Sequence, residues 1–403
     1  MGIKLDMIQT LTVAVCAYYL GSWLKKKISI FQKFCIPAPV IGGLIFAIVN
    51  LIFSQTGVGQ VQLDTTLQSP CMLIFFTSIG LTASWKLIKK GGLRVVIFFL
   101  ASFALIILQD LVGIGITKIL DTNPLLGLIA GSVTMTGGHG TGATWAVVFE
   151  EQFGMTSANT ITMAAATFGL IGGSLIGGPV GRKLIVKNNL KPAEADLKRS
   201  NEDLTEDVLA ATSERFKINS KTMFDTLAII CICMGIGTII EKSFKAIGIT
   251  MPIYIGAMII GAIIANIGEK TGKFQINLDC NDILGNSALN IFLSMALISL
   301  KLWELKAVAG PLLIILFTQV IMMALYAMFV TFRVLGRDYD AAVISAGHCG
   351  FGLGATPNAM ANMDSVTSTF GPSPTAYLVL PIVGAFLVDF ANSLTITIFT
   401  NFI

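Results

Sequence analysis

The chain contains only two histidines, His139 and His348, and each lies in a glycine-rich stretch. The first stretch reads GSVTMTGGHGTGATWA, from Gly131 to Ala146. The second reads SAGHCGFGLGATPNAMANM, from Ser345 to Met363. Glycine destabilises a helix interior by about 1 kcal/mol relative to alanine. Four glycines within Gly137–Gly142 and four within Gly347–Gly354 therefore predict interrupted helices. An interrupted helix exposes N–H groups and a partial positive charge at its N-terminal end, which suits a carboxylate. Freed carbonyls and hydroxyls suit Na⁺. The predicted substrate-binding set is Thr136, Gly137, Gly138, His139, Gly140, Thr141, Gly142 and Thr144 in the first stretch. In the second it is Ser345, Gly347, His348, Gly350, Gly352, Gly354, Thr356 and Asn358. Each histidine can bind substrate, couple a proton or simply satisfy a buried partner, and the residues leave these readings open.

Carboxylates give the complementary charge. Nearly all of the 23 acidic residues fall in loops or at segment ends, but Asp110 and Asp389 sit well inside apolar segments. A carboxylate at such depth costs ~2.5–3.5 kcal/mol on insertion scales, so it faces a cavity or a partner. Asp389, with Asn392 close by, is the preferred cation ligand. Asp110 and Thr134 are further Na⁺ candidates, and Asp110, following Gln109, can instead hold helices together. No well-placed Lys or Arg lies in the apolar segments to clamp an anion. Helix ends and co-bound Na⁺ must supply the positive potential. The seven cysteines are odd in number and lack metal-ligand spacing, so they read as buried apolar residues. Cys349 beside His348 is poorly placed as a nucleophile–base pair, so no catalytic residue and no cofactor is expected.

The elements that must hold these groups follow from composition. Hydrophobic residues make up 54% and charged residues 12% of the chain, and mean hydropathy is +0.79. Ordinary soluble domains carry about 25% charge, so the bilayer is the solvent for this chain. Basic residues sit in loops rather than on one face, which argues against nucleic acid as a partner. Ten apolar segments are long enough to span, near 7–24, 38–54, 70–88, 94–117, 158–181, 223–241, 250–267, 284–303, 309–332 and 376–400. The N-terminal segment is followed by Lys25-Lys26-Lys27 and lacks a cleavage site, so it reads as a retained span rather than a signal peptide. Two more segments, 124–147 and 339–362, carry the glycine clusters and read as re-entrant hairpins, because lipid cannot satisfy freed backbone groups. If both hairpins return to the side they enter from, only Lys4, Lys118, Lys242, Lys245, Lys301 and Lys306 fall outside. All other basic residues then face the cytoplasm, as the positive-inside tendency requires, and both termini are periplasmic.

The two halves resemble each other. GTGAT at Gly140–Thr144 matches GLGAT at Gly352–Thr356, Pro39 and Gly43 match Pro252 and Gly256, and Gln109 matches Gln319. Each half holds five spans, an odd number, so the second copy is inverted, as in many secondary transporters. The expected fold is therefore all-α and integral to the membrane, with two inverted five-helix repeats and one re-entrant hairpin in each. Residues 1–183 form the N-terminal repeat, 184–221 a polar cytoplasmic linker, and 222–403 the C-terminal repeat.

At these motifs the chain resembles the glutamate:sodium symporter family of bacteria. The carrying residues are Ile36-Pro37-Ala38-Pro39-Val40, Gly137–Ala143, Lys301-Leu302-Trp303-Glu304 and Gly347–Pro357. The similarity runs nearly end to end, the linker excepted. It implies Na⁺-coupled uptake of L-glutamate or a close dicarboxylate, an inner-membrane location, two re-entrant loops and no enzymatic activity. Alternating access by an elevator-like shift, and a homodimer surrounded by membrane lipid, are expected by analogy. An ion channel built on glycine-rich loops and an intramembrane hydrolase are the competing readings.

Overall fold

The computed structural model describes residues 3–56, 60–192, 218–246, 252–272 and 274–403. Most of the expected linker, residues 193–217, lies outside the described residues. In the first half, helices α1 (Met7–Lys27), α2 (Ser29–Lys33), α3 (Ala38–Gln55), α4 (Gln68–Leu81) and α5 (Trp85–Ile119) lead to a broken segment. That segment comprises α6 (Pro124–Leu128), a π-helical turn (Ile129–Val133) and α7 (Gly138–Glu151), and α8 (Ala158–Asn188) follows it. The second half holds α9 (Ser220–Ala246), α10 (Ile253–Thr271), α11 (Leu278–Ile298) and α12 (Ala309–Val334). A second broken segment, α13 (Tyr339–Phe351) and α14 (Thr356–Phe370), precedes α15 (Pro374–Ile382) and α16 (Val388–Phe402). Two three-residue strands, β1 (Ile3–Leu5) and β2 (Val61–Leu63), pair in parallel with Ile3 opposite Val61. They are a small departure from the all-α expectation.

Among the described residues, seven helices are long and apolar enough to cross a bilayer: α1, α3, the Gly92–Ile119 part of α5, α8, α9, α10 and α12. Three of the ten expected spans fall short of that standard. The segment at 70–88 is the 14-residue helix α4, about 21 Å long against a ~30 Å hydrocarbon core. The segment at 284–303 belongs to α11, whose sequence carries Asp279, Asn281, Asp282, Asn286 and Asn290. The segment at 376–400 is divided into α15 and α16 by a π-helical turn at Val383–Leu387 that follows Pro381.

Local chemistry explains how the spans start and pack. Asp6 and Gln9 form a reciprocal capping box at the start of α1 (Oδ1 accepting at 2.8 Å, Oε1 at 3.0 Å), and Lys25–Lys27 complement its last turn. Pro37 and Pro252 stand immediately before α3 and α10 with nearly equal backbone angles (φ −63°, ψ 144° and φ −60°, ψ 141°). Helix α3 then packs on α1 where a Cβ at Gly42 would lie 1.7 Å from the Ala17 carbonyl oxygen. Helix α10 packs on α9 in the same manner, since a Cβ at Gly256 would lie 2.4 Å from the Gly237 carbonyl oxygen. In lipid, such small-residue contacts let backbones approach closely enough for dispersion to hold them.

The apolar residues segregate into two main clusters. One unites α5 to α8 with α12 to α16 through side chains such as Leu105, Ile129, Trp145, Met323 and Val343. The other unites α3, α4, α10 and α11 through Val40, Phe76, Met258 and Phe292, with Ala143 and Met163 reaching into it. At one end of the molecule Arg94 pairs with Asp338 (2.5 Å) and Asp340 (2.9 Å), which brings the start of α5 beside the start of the second broken segment. The cysteines divide: Cys233, Cys280 and Cys349 are buried, Cys35 and Cys71 are half-buried, and Cys16 and Cys231 are exposed on spanning helices. Burial therefore describes only part of that set, because a helix surrounded by lipid can present a thiol outward.

Candidate functional site

The two broken segments meet. Gly138 has φ +60°, and a Cβ there would lie 2.5 Å from the Gly354 carbonyl oxygen. A side chain at this position would be strained in its own backbone and would collide with the opposite segment. The non-helical residues are fewer than the glycine clusters suggest. In the first segment the helix is lost at Gly131 (φ −90°, ψ −138°) and through the turn at 134–137. In the second it is lost only at 352–355. Gly140, Gly142, Gly347 and Gly350 are helical. At Gly350 the gain is close approach, since a Cβ would lie 2.7 Å from the backbone of Asn358 and Ala359.

Helices α7 and α14 begin at these breaks, and neither N-terminus has a side-chain cap. Both open onto one cavity of about 280 Å³. This is about nine waters' share of liquid volume, enough for a small organic solute. Of the residues expected to bind substrate, Thr136, Gly137, Gly138, His139, Gly140, Thr141, Gly354, Thr356 and Asn358 line it. So does Asp389, the expected cation ligand. Its carboxylate makes no hydrogen bond or ion pair with the described side chains, and no Lys or Arg lines the cavity. The apolar wall is contributed by the second cluster, with Phe75, Phe76 and Ile79 of α4 and Leu289 and Leu293 of α11, and also by Leu170 of α8 and Phe351 of α13.

Other expected residues lie elsewhere. Gly142, Thr144, Ser345, Gly347, His348, Gly350 and Gly352 do not line the cavity. Thr144 and Ser345 each donate back to the carbonyl four residues earlier, at 3.0 and 2.7 Å. His348 is fully buried between Ser102 Oγ (3.3 Å from Nε2) and Thr331 Oγ1 (2.9 Å from Nδ1), with Phe98 against its ring edge. His139, by contrast, faces the cavity with its Nε2 3.0 Å from Thr167 Oγ1. The equal weight given to the two histidines thus resolves into different environments.

The cation candidates separate too. Both oxygens of Asp110 are engaged by Ser132, whose N–H donates to Oδ1 at 2.8 Å and whose hydroxyl donates to Oδ2 at 2.9 Å. Asn392 donates to the Ser132 carbonyl at 3.1 Å, and Thr134 donates to the Ile129 carbonyl at 2.6 Å. Asp110 and Asn392 thereby hold the π-helical turn against α5 and α16, Thr134 closes a bond within its own segment, and all three stand outside the cavity lining.

Gln109 bridges the two breaks. Its amide donates to the Gly352 carbonyl at 2.7 Å and its Oε1 accepts from the Thr136 hydroxyl at 2.7 Å, so one side chain ties the two breaks together. Gln319, matched with it in the sequence comparison of the two halves, donates to the Gln109 carbonyl at 2.8 Å. On the far side, Asn358 donates to the Leu170 carbonyl at 3.0 Å and accepts from Ser174, and Asn362 donates to the Gly173 carbonyl at 3.0 Å. The glycines of α8 make room for this contact. Gly169, Gly173, Gly177 and Gly181, spaced four apart, all face the second broken segment. The sequence carries this run as small residues four apart, the pattern of close helix packing in lipid. It marked Gln109 only as half of a repeat match, and it carried no signal for Cys35, Phe75 or Leu289, because an apolar residue in an apolar helix looks the same on any face.

Fold and cavity together define a multi-pass helical membrane protein with a cavity large enough for a small solute. Comparison with known proteins supplies the rest. The family described as sodium/glutamate symporter matches residues 3–372. The sodium/glutamate symporter of Escherichia coli (strain K12) is 42% identical over 400 residues, covering 98% of this chain and 97% of that protein. The sodium/glutamate symporter of Haemophilus influenzae is 44% identical over 393 residues, covering 98% and 96%. The chain belongs to the sodium/glutamate symporter family, which makes it a transporter rather than an enzyme. Among solved structures, a sodium proton antiporter from Methanocaldococcus jannaschii covers 99% of this chain and 98% of its own, at 14% identity and a TM-score of 0.44. A likeness that low carries no structural inference.

Proposed function

We propose that this chain takes up L-glutamate, or a close dicarboxylate, with Na⁺ across a bacterial inner membrane by alternating access. The observation that carries the reading is the convergence of two uncapped helix N-termini on one cavity that has no lysine or arginine in its wall. Partial positive charge at helix ends suits carboxylates, and Asp389 offers a fixed negative charge for the coupling cation. Thr136, His139, Thr141, Thr356 and Asn358 supply hydroxyl, imidazole and amide groups to the substrate. Na⁺ flowing inward drives the uphill step, since one charge crossing 100 mV is worth ~2.3 kcal/mol.

Residues 1–183 and 222–403 act as inverted repeats whose broken segments, re-entrant from opposite faces, exchange roles as the site opens to each side. The similar starts and glycine contacts of α3 and α10 support this: Pro37 and Pro252 precede the two helices with nearly equal backbone angles, and Gly42 and Gly256 each meet a neighbouring backbone. The cavity lies between two apolar clusters, which suits an elevator-like shift of the cluster containing both breaks against the other. The Arg94 ion pairs join two loops expected on the cytoplasmic side, in keeping with periplasmic termini. Spans α1 and α9 are the least covered by the rest of the chain and form the interface of a homodimer in this reading.

The test is uptake of labelled glutamate into liposomes containing the purified protein, with and without an inward Na⁺ gradient, against aspartate as competitor. Uptake that requires the gradient supports symport. Uptake indifferent to Na⁺ ends the proposal.

A further inference from the structure

A second cavity, about 240 Å³, lies far along α8 and α12 from the substrate cavity. Lys183 and Lys187 approach it from the last turns of α8, and Arg333 and Arg337 from the end of α12 and the turn after it. Its floor is apolar, formed by Leu184, Met328 and Phe332. Among the described residues no acidic side chain lines it. The nearest acids in sequence, Asp338 and Asp340, are taken by Arg94, and none of the four cations is in an ion pair among the described residues. Arg333 lies over the Phe329 ring at 5.5 Å, which holds its guanidinium at the edge of the apolar surface.

The surface leading away from this cavity is what separates a lipid from a soluble anion. Phe329, Leu325 and Ile321 on α12 are 53%, 47% and 62% exposed, one turn after another along the spanning helix. Val186 on α8 and Val334 at the end of α12 are also exposed. Four cations thus gather where a lipid-facing apolar stripe reaches its polar end. A basic pocket between spanning helices is the arrangement that binds anionic lipid headgroups, and its Lys and Arg also mark a cytoplasmic face.

We infer that this pocket binds the phosphate of an anionic phospholipid, whose acyl chains run along Phe329, Leu325 and Ile321. Arg333 and Arg337 hold the phosphate, and Lys183 and Lys187 add charge from the facing helix. Because α8 also packs on the second broken segment through its four glycines, a bound lipid braces the helix that supports the substrate cavity.

The experiment uses the purified, delipidated full chain in detergent. Native mass spectrometry measures retention of phosphatidylglycerol against phosphatidylcholine, and thermal melting is followed with each lipid and with inorganic phosphate. The variants are Arg333→Gln/Arg337→Gln and Lys183→Gln/Lys187→Gln, with Arg333→Lys/Arg337→Lys as the charge-conserving control. Wild type and control are expected to retain phosphatidylglycerol preferentially and melt higher with it. Each neutralised cation should weaken retention roughly fivefold, so each double variant loses about 25-fold. Equal retention of the two lipids by wild type, or unchanged retention in both neutralised variants, overturns the inference. A stabilisation by inorganic phosphate as large as that by phosphatidylglycerol also overturns it, in favour of a soluble anion.

Discussion

Replacing Gly138 by alanine tests whether contact between the two breaks is what builds the proposed substrate cavity. The native residue has φ +60° and its missing Cβ would stand 2.5 Å from the Gly354 carbonyl oxygen. An L-residue held in the left-handed region costs ~1–2 kcal/mol. Ordinary contact begins near 3.4 Å, so the breaks would also have to part by about 1 Å or bear the overlap. Forcing an extra methyl into a packed site costs typically ~1–3 kcal/mol. Together these reach about 2–5 kcal/mol, which at ~1.4 kcal/mol per decade lowers the native tip geometry about 30- to 4,000-fold. Gly115→Ala is the matched control, because nothing lies within 4 Å of its Cβ position and its backbone is helical. Its effect should stay near 0.5 kcal/mol, about twofold. Both variants are reconstituted and assayed for glutamate uptake under an inward Na⁺ gradient. Uptake by Gly138→Ala should fall ~30-fold or more while Gly115→Ala transports like wild type. Equal rates for the two variants would refute the reasoning.

Asp389→Asn removes the cavity's one carboxylate at nearly constant volume. The Na⁺ concentration for half-maximal uptake should rise ~10- to 100-fold, and an unchanged Na⁺ dependence would count against Asp389 as a cation ligand. Gln109→Ala leaves the Thr136 hydroxyl and the Gly352 carbonyl without their partner, at ~1–3 kcal/mol for each buried group. Its melting temperature in detergent should fall, and Thr136→Val in the same chain should recover part of the loss. Cys35 lines the cavity with its sulfur 3.9 Å from the Pro357 carbonyl. A methanethiosulfonate reagent should inhibit uptake, saturating glutamate with Na⁺ should protect, and Cys35→Ser should be resistant; inhibition that persists in Cys35→Ser would place the reactive thiol elsewhere.

Much of the candidate cavity's polar lining was legible because its chemistry is rare in an apolar chain. Clustered glycine, the only two histidines and two intramembrane carboxylates each stand out against such a background. Which face each residue takes was not legible. His348 and Gly350 fall inside α13, where helical rotation turns the imidazole away from the cavity toward Ser102 and Thr331. Asp110 and Asp389 carry the same side chain in similar apolar surroundings. They part company only because Ser132 is folded onto one and empty space onto the other. Helix lengths were misjudged where hydropathy continues past a structural end. The apolar run containing α4 extends toward Trp85, but the helix stops at Leu81 and Asn266 donates to the Ala83 carbonyl at 2.8 Å to fix the turn. The aromatic wall at Phe75 and Phe76 had no sequence signal, since its role depends on a contact between two clusters far apart in the chain.

The central claim is tested most directly by an experimental structure determined with saturating L-glutamate and Na⁺. Density for the amino acid should lie between the first turns of α7 and α14, its carboxylates within hydrogen-bond reach of their N–H groups and Thr136, Thr141 or Thr356. Substrate bound outside the space between Gly138 and Gly354, or a structure in which those two residues stand apart with the site still occupied, would contradict it.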